Sequence, residues 1–196
     1  MNGNHWYELS NAADVDSPAL LVFPDRAEEN VRRMIAIATD PQRLCPHVKT
    51  HKLAELVHMQ LGLGITRYKC ATIAEAEMVA SCGAADVLLA YQPVGPNVPR
   101  LVKLIKKFPN TVFSALVDDE TVIRNLSVAA VQAGVLIRVL LDIDCGMQRC
   151  GVAPGLCRPA RVRFGARCIF LGVKSRGADF LLAASPKILC GEDQTQ

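Results

Sequence analysis

The sequence predicts an α/β protein, a truncated portion of a (β/α)8 TIM-type barrel. Short apolar runs alternate with stretches of helical periodicity, the pattern of parallel strands joined by crossover helices. Polar and reactive residues (Lys49, Thr72, Tyr91, Asp142 and Asp144) fall at or just beyond the carboxyl ends of predicted strands, the face that carries barrel active sites. An open dinucleotide-binding sheet would want Gly-x-Gly-x-x-Gly after its first strand, and the sequence has none.

The elements follow in order. Ala19–Phe23 is an apolar run and the first predicted strand. Pro24 opens a helix, its fixed φ suited to a first turn, with Asp25 and Glu28 near the positive end. Val31, Met34, Ile35 and Ala38 lie on one face of that helix. Arg43–Val48 reads as a strand ending at Lys49, and Leu53–Leu61 as a helix closed near Gly62 and Gly64. Arg67–Ala71 is a short strand, after which Thr72 and Glu75 form a capping box. Asp86–Tyr91 is a strand, followed by a Pro/Gly loop and a helix over Val98–Phe108. Thr111–Val117 is a strand, Asp119–Ala133 a helix ending at Gly134, and Val135–Asp142 an aliphatic strand suited to burial on both faces.

Composition narrows the function classes. The chain has 196 residues, 51% hydrophobic and 5% aromatic, so Leu, Val, Ile and Ala must build the core. A net charge of +3 without a basic stripe argues against a nucleic-acid partner. No apolar run approaches the roughly 20 residues of a membrane span. The first residues lack the basic-then-apolar order of a signal peptide, so a cytoplasmic protein is expected. The eight cysteines are irregularly spaced with no Cys-x-x-Cys, which favours reduced structural thiols. The four histidines do not pair with cysteines at zinc-ligand spacing, and no metal site is read from the residues.

Several motifs carry a resemblance. They are Ser17-Pro18-Ala19-Leu20-Leu21-Val22, Pro46-His47-Val48-Lys49-Thr50-His51-Lys52 and Cys70-Ala71-Thr72-Ile73-Ala74-Glu75-Ala76-Glu77. Asp86-Val87-Leu88-Leu89-Ala90-Tyr91 and Asp142-Ile143-Asp144-Cys145-Gly146-Met147-Gln148-Arg149-Cys150-Gly151-Val152 follow in the same order. From Ser17 to Gly151 the chain resembles the N-terminal part of the D-threonine aldolase / D-serine dehydratase family. Those enzymes have the alanine racemase-like fold, a (β/α)8 barrel followed by a β domain, and use pyridoxal phosphate. The resemblance implies a lyase acting on D-3-hydroxy amino acids by retro-aldol cleavage or dehydration, in a homodimer when complete. It implies that Ser17–Phe23 packs with the β domain and that the barrel begins at the Lys49 strand.

By the same resemblance Lys49 forms the Schiff base with pyridoxal phosphate, and Arg149 approaches the cofactor's phenolic oxygen. Tyr91 and His51 are further candidates for lining the pocket or moving protons. An amine that attacks an aldehyde must be neutral, a state favoured by partial burial and by neighbouring cations such as Lys52, or His51 if protonated. Read alone, Arg149 also suits a bridge from its loop to an acidic neighbour, and Tyr91 a strand-end tyrosine with a solvated hydroxyl. Asp142 and Asp144 suit holding the strand-end loop, His47 a satisfied core histidine, and Thr72 with Glu75 helix capping alone. A non-catalytic cofactor-binding barrel and an inactive fragment are the competing readings.

The chain divides into an N-terminal extension (1–16), the resembling portion (17–151) and a tail (152–196). The tail holds seven Lys/Arg and three Asp/Glu, so it carries +4 and leaves −1 for the rest. Arg167–Val173 suits a strand, but the surrounding pattern is not the family's. A shifted reading frame is expected to look like this, and comparing the frames of the underlying DNA tests it. The family's cofactor-phosphate site and its divalent-metal ligands belong to the part the resemblance does not reach.

Overall fold

Each strand of the sheet lies beside its neighbour in sequence, and every pairing is parallel. The structure, a computed structural model, describes residues 5–153 and the backbone of residues 168–175. The strands are β1 (Arg67–Cys70), β2 (Asp86–Leu89), β3 (Val112–Val117), β4 (Ile137–Ile143) and β5 (Cys168–Ser175), in that spatial order. The helices are α1 (Pro24–Ala38), α2 (Ala54–Gly62), α3 (Ile73–Ser81), α4 (Asn97–Lys107) and α5 (Glu120–Ala133). Each helix packs against the next, α1 on α2 through to α4 on α5. A doubly wound sheet reverses its strand order and carries helices on both faces. Here the order is unbroken and the helices form one layer, which is the wall of a partial barrel. No helix among the described residues is long and apolar enough to cross a membrane.

Alternation along the strands divides two environments. Tyr68, Cys70, Val87, Leu89, Phe113, Ala115, Ile137 and Val139 join Val57, Val79, Leu101, Ile123 and Leu126 in the core between sheet and helices. Burial pushes the Cys70 thiol up to about 12, with the Glu75 and Cys45 charges adding to it, so it packs as a small neutral group. The Tyr68 hydroxyl donates to the carbonyls of Val57 and Ile65, which satisfies it inside the core. On the opposite strand face the register aligns Arg67 with Asp86, and Lys69 with Leu88, Ser114 and Arg138. Arg67 and Asp86 make a 3.9 Å ion pair there. Burial raises the Asp86 carboxyl despite Arg67 and Arg138 pulling it down.

Helix ends follow local chemistry. The Thr72 hydroxyl accepts the Glu75 N–H at 3.1 Å, and the Asp119 carboxylate accepts the Val122 N–H at 3.0 Å. Gly134 ends α5 at φ 68°, where a side chain would be strained.

Two expected strands do not form. Ala19–Phe23 has no strand partner among the described residues, and Leu20, Leu21 and Val22 lie exposed. Its end is held instead by an aromatic clasp: Trp6 meets Phe23 edge to face at 5.1 Å, with Arg26 3.7 Å over the indole. Arg43–Val48 is reduced to one parallel bridge, His47 with Lys69, because single 3-10 turns (Pro41–Arg43 and Val48–Thr50) occupy both flanks. Pro46 has no N–H to give, and its carbonyl accepts from Lys69 at 2.9 Å. The strand suited to Arg167–Val173 runs from Cys168 to Ser175, parallel to β4 with a register shift between Val139 and Leu140. The remainder of the tail reading, over 154–167 and 176–196, lies outside the described residues.

The cap geometry gives an expected outcome. Thr72→Ala should lower stability by about 1 kcal/mol. A urea midpoint followed by far-ultraviolet circular dichroism measures it, and an unchanged midpoint would mean the cap is dispensable.

Candidate active site

Parallel pairing puts all the carboxyl ends of the strands on one face, and a cleft of about 190 Å³ opens there. β1 and its exit contribute Lys69 and Ala71, β2's exit Ala90, Tyr91 and Gln92, β3 and its exit Leu116, Val117 and Asp118, and β4 Asp142. His47 and Lys49 enter from the segment before β1, and Arg149 and Cys150 from the loop after β4. Three cations (Lys49, Lys69 and Arg149) therefore face two acidic residues (Asp118 and Asp142). The formal excess of one positive charge suits an anionic ligand.

Lys49 lies in the 3-10 turn Val48–Thr50, with fully buried Val48 as the anchor and Lys49 itself exposed at the cleft's lip. His47 caps this turn: its Nδ1 accepts the Lys49 N–H at 3.3 Å. Burial first, then the Lys69 and Lys49 charges, hold the imidazole below its ordinary pKa, while Glu75 pulls the other way. The lowered pKa favours the neutral imidazole, whose Nδ1 accepts the Lys49 N–H.

Arg149 reaches the cleft on a loop that closes on itself. Asp144 Oδ1 accepts the N–H groups of Gly146, Met147 and Gln148 at 2.9–3.0 Å. The loop then rejoins β4 by a parallel bridge, Ile143 with Val152. Gly151 is the closure point, its N–H donating to Asp118 Oδ2 at 3.0 Å. A Cβ on Gly151, at φ +92°, would lie 2.7 Å from the Asp144 nitrogen and 2.8 Å from the Ile143 carbonyl carbon. Only glycine fits there. Gln92 Oε1 accepts the Asp118 N–H at 3.3 Å and ties the exits of β2 and β3.

Of the sequence-derived candidates, Lys49, Tyr91 and Arg149 meet in this cleft, and His51 does not. His51 lines a separate concavity beside Leu53, Leu56 and the Leu20–Phe23 segment, and its Nδ1 accepts the Leu53 N–H at 3.1 Å. The expected surroundings of Lys49 also differ. Its side chain is exposed rather than partly buried. Lys52 is paired with Glu75 at 3.5 Å, and burial lowers the His51 pKa, so neither acts as a free neighbouring cation. Asp144 holds the strand-end loop, as its position suggested. His47, Lys69, Gln92 and Asp118 line the cleft without having been singled out for it. For Asp118 the signal was available, since it directly follows a predicted strand. Among the described residues no three His, Cys, Asp or Glu side chains gather as a metal would require.

Residues 22–169 match the family model for the alanine racemase N-terminal domain. The chain belongs to that family. The match runs past Gly151 into β5, beyond the span legible as a resemblance. The chain is similar to the D-threonine aldolase of an Arthrobacter species, 34% identical over 142 residues, covering 72% of this chain and 37% of that protein. The 3-hydroxy-D-aspartate aldolase of Paracoccus denitrificans is 33% identical over 143 residues, 71% of this chain and 36% of the relative. Among solved structures, D-threonine aldolase from Filomicrobium marinum superposes with a TM-score of 0.73 at 36% identity, covering 83% of this chain and 44% of that one. The chain thus spans between about a third and under half of the length of these relatives.

Two outcomes follow for this alanine racemase-type domain. Gly151→Ala should cost more than Gly134→Ala, because the first adds a backbone clash to strain of about 1–3 kcal/mol while open space surrounds the second. Equal urea midpoints would contradict the closure. With pH, the lowered pKa values of His47 and His51 mean that the unfolded chain takes up protons first, near the ordinary 6.5. Their stabilisation is complete above that pH and is lost as the pH falls through the folded-state values. His47→Asn keeps an acceptor for the cap and should flatten part of this dependence. A variant whose urea midpoint tracks pH like the wild type would remove His47 from the account.

Proposed function

We propose that the cleft is the cofactor end of a pyridoxal phosphate site in a lyase for D-3-hydroxy amino acids. The observation that carries the reading is the meeting of Lys49, Tyr91 and Arg149 at the carboxyl ends of parallel strands, with cations in excess. The donor set fits the group: a primary amine for its aldehyde, a guanidinium for its phenolic oxygen and an overall positive cleft for an anion. When bound, pyridoxal phosphate withdraws electrons from the substrate's α-carbon and so permits cleavage beside it.

The chain's own residues have distinct parts. Lys49 Nζ, at the lip of the cleft, is the amine that takes the aldehyde. The neutral His47 fixes the turn that carries it. Arg149, held by the closed loop, supplies a fixed positive charge. Tyr91, exposed beside β2's exit, carries a proton or hydrogen-bonds a substrate in this reading. The D-threonine and 3-hydroxy-D-aspartate aldolases among the relatives support a small D-3-hydroxy amino acid as substrate. Retro-aldol cleavage and dehydration both begin with the same activation at the substrate's α-carbon.

Titration with pyridoxal phosphate tests the reading. The wild-type chain should develop a new visible absorbance, and Lys49→Ala should not. Absorbance that persists in the alanine variant would overturn the assignment of Lys49. Turnover of D-threonine, D-serine or 3-hydroxy-D-aspartate with a divalent metal separates an enzyme from a cofactor-binding barrel.

A further inference from the structure

Two primary amines lie three residues apart, at Lys49 and Lys52, yet only Lys49 lines the cleft. Lys52 is paired instead with Glu75, in the first turn of α3 and only 5% exposed. A buried carboxylate needs partners. Glu75 Oε2 accepts the Ala71 N–H at 2.7 Å, and Oε1 meets Lys52 Nζ at 3.5 Å. Ala71 is a wall of the cleft at the exit of β1, and Lys52 directly follows the Lys49 turn and its C-cap, His51. Lys52 takes a left-handed backbone, φ 53°, which a non-glycine residue adopts only when its surroundings require it. One carboxylate thus ties the end of the Lys49 segment to the exit of β1.

We propose that Glu75 is a positioning residue that reserves the cleft for Lys49, by holding the competing amine of Lys52 in an ion pair outside it. This rests on the cofactor reading above. Helix capping accounts for the Thr72 hydroxyl, but it does not require a carboxylate at Glu75 with a charged partner. Lys69 also lines the cleft, from β1, where strand register fixes its backbone, and it lies on a different segment from Lys49 and Lys52. The device selects between two amines on one short segment. Glu75→Gln keeps an acceptor for Ala71 and removes the attraction for Lys52.

The experiment is reductive trapping. The chain is mixed with less than one equivalent of pyridoxal phosphate, treated with borohydride and mapped by peptide mass spectrometry. An amine condenses with the aldehyde, losing one water, and hydride reduces the carbon–nitrogen double bond to a stable secondary amine. Wild type should carry the label at Lys49. In Glu75→Gln the ratio of Lys52 to Lys49 label should rise about two- to fivefold, the weight of one partly exposed ion pair. Labelling of the helix α4 lysines, Lys103 and Lys106, should stay level, which a general loosening would not allow. Should Glu75→Gln fail to fold by circular dichroism, Glu75→Asp, which keeps the charge but shortens its reach by one methylene, takes its place with a smaller expected rise. An unchanged ratio in the folded variant overturns the role of Glu75 and leaves the cofactor reading intact. No label at Lys49 in the wild type overturns both.

Discussion

Parallel pairing is the constraint on which this structure depends. Two parallel strands cannot be joined by a tight turn, so each crossover must run back along the sheet, usually as a helix. Repeating that step makes every strand leave the sheet on the same side. Lys69, Tyr91, Asp118 and Asp142 are far apart in sequence and close in space for this reason alone. Unbroken strand order adds the curvature of a barrel wall, with the apolar strand face turned to the helices and the polar one away from them.

Onto that scaffold the chain adds three small closures that aim individual side chains. His47 fixes the Lys49 turn through one imidazole nitrogen, Asp144 gathers three amides at the start of the Arg149 loop, and Gly151 seals that loop against Asp118. Each removes freedom from a segment that would otherwise run loose over the sheet, which is how a site on loops gains the definition of one built on strands.

Much of this was legible in the sequence because periodicity, prolines, caps and terminal glycines are local signals. Helices α1 to α5 and strands β1 to β4 fall within a few residues of where those signals put them. Ala19–Phe23 and Arg43–Val48 misled because an apolar run announces burial or pairing without naming a partner. The first has none among the described residues, and the second is interrupted by turns and by Pro46. Lys49 and Tyr91 stood out at strand ends and Arg149 through the resemblance of its motif, and all three line the cleft. His51 was not separable from them, since in a tight turn two positions suffice to send a side chain to another face. Lys69 was hidden inside a strand, where only register tells which face a residue takes.

The aromatic clasp has a practical side. Trp6 is the single tryptophan of the chain, and its indole lies under Arg26 and against Phe23, at the edge of the molecule rather than in the core. Its fluorescence is an optical reporter of the N-terminal segment alone. Emission will follow the release of that segment, and circular dichroism the melting of the sheet and helices. One chain therefore offers two separate signals for two separate parts of its fold.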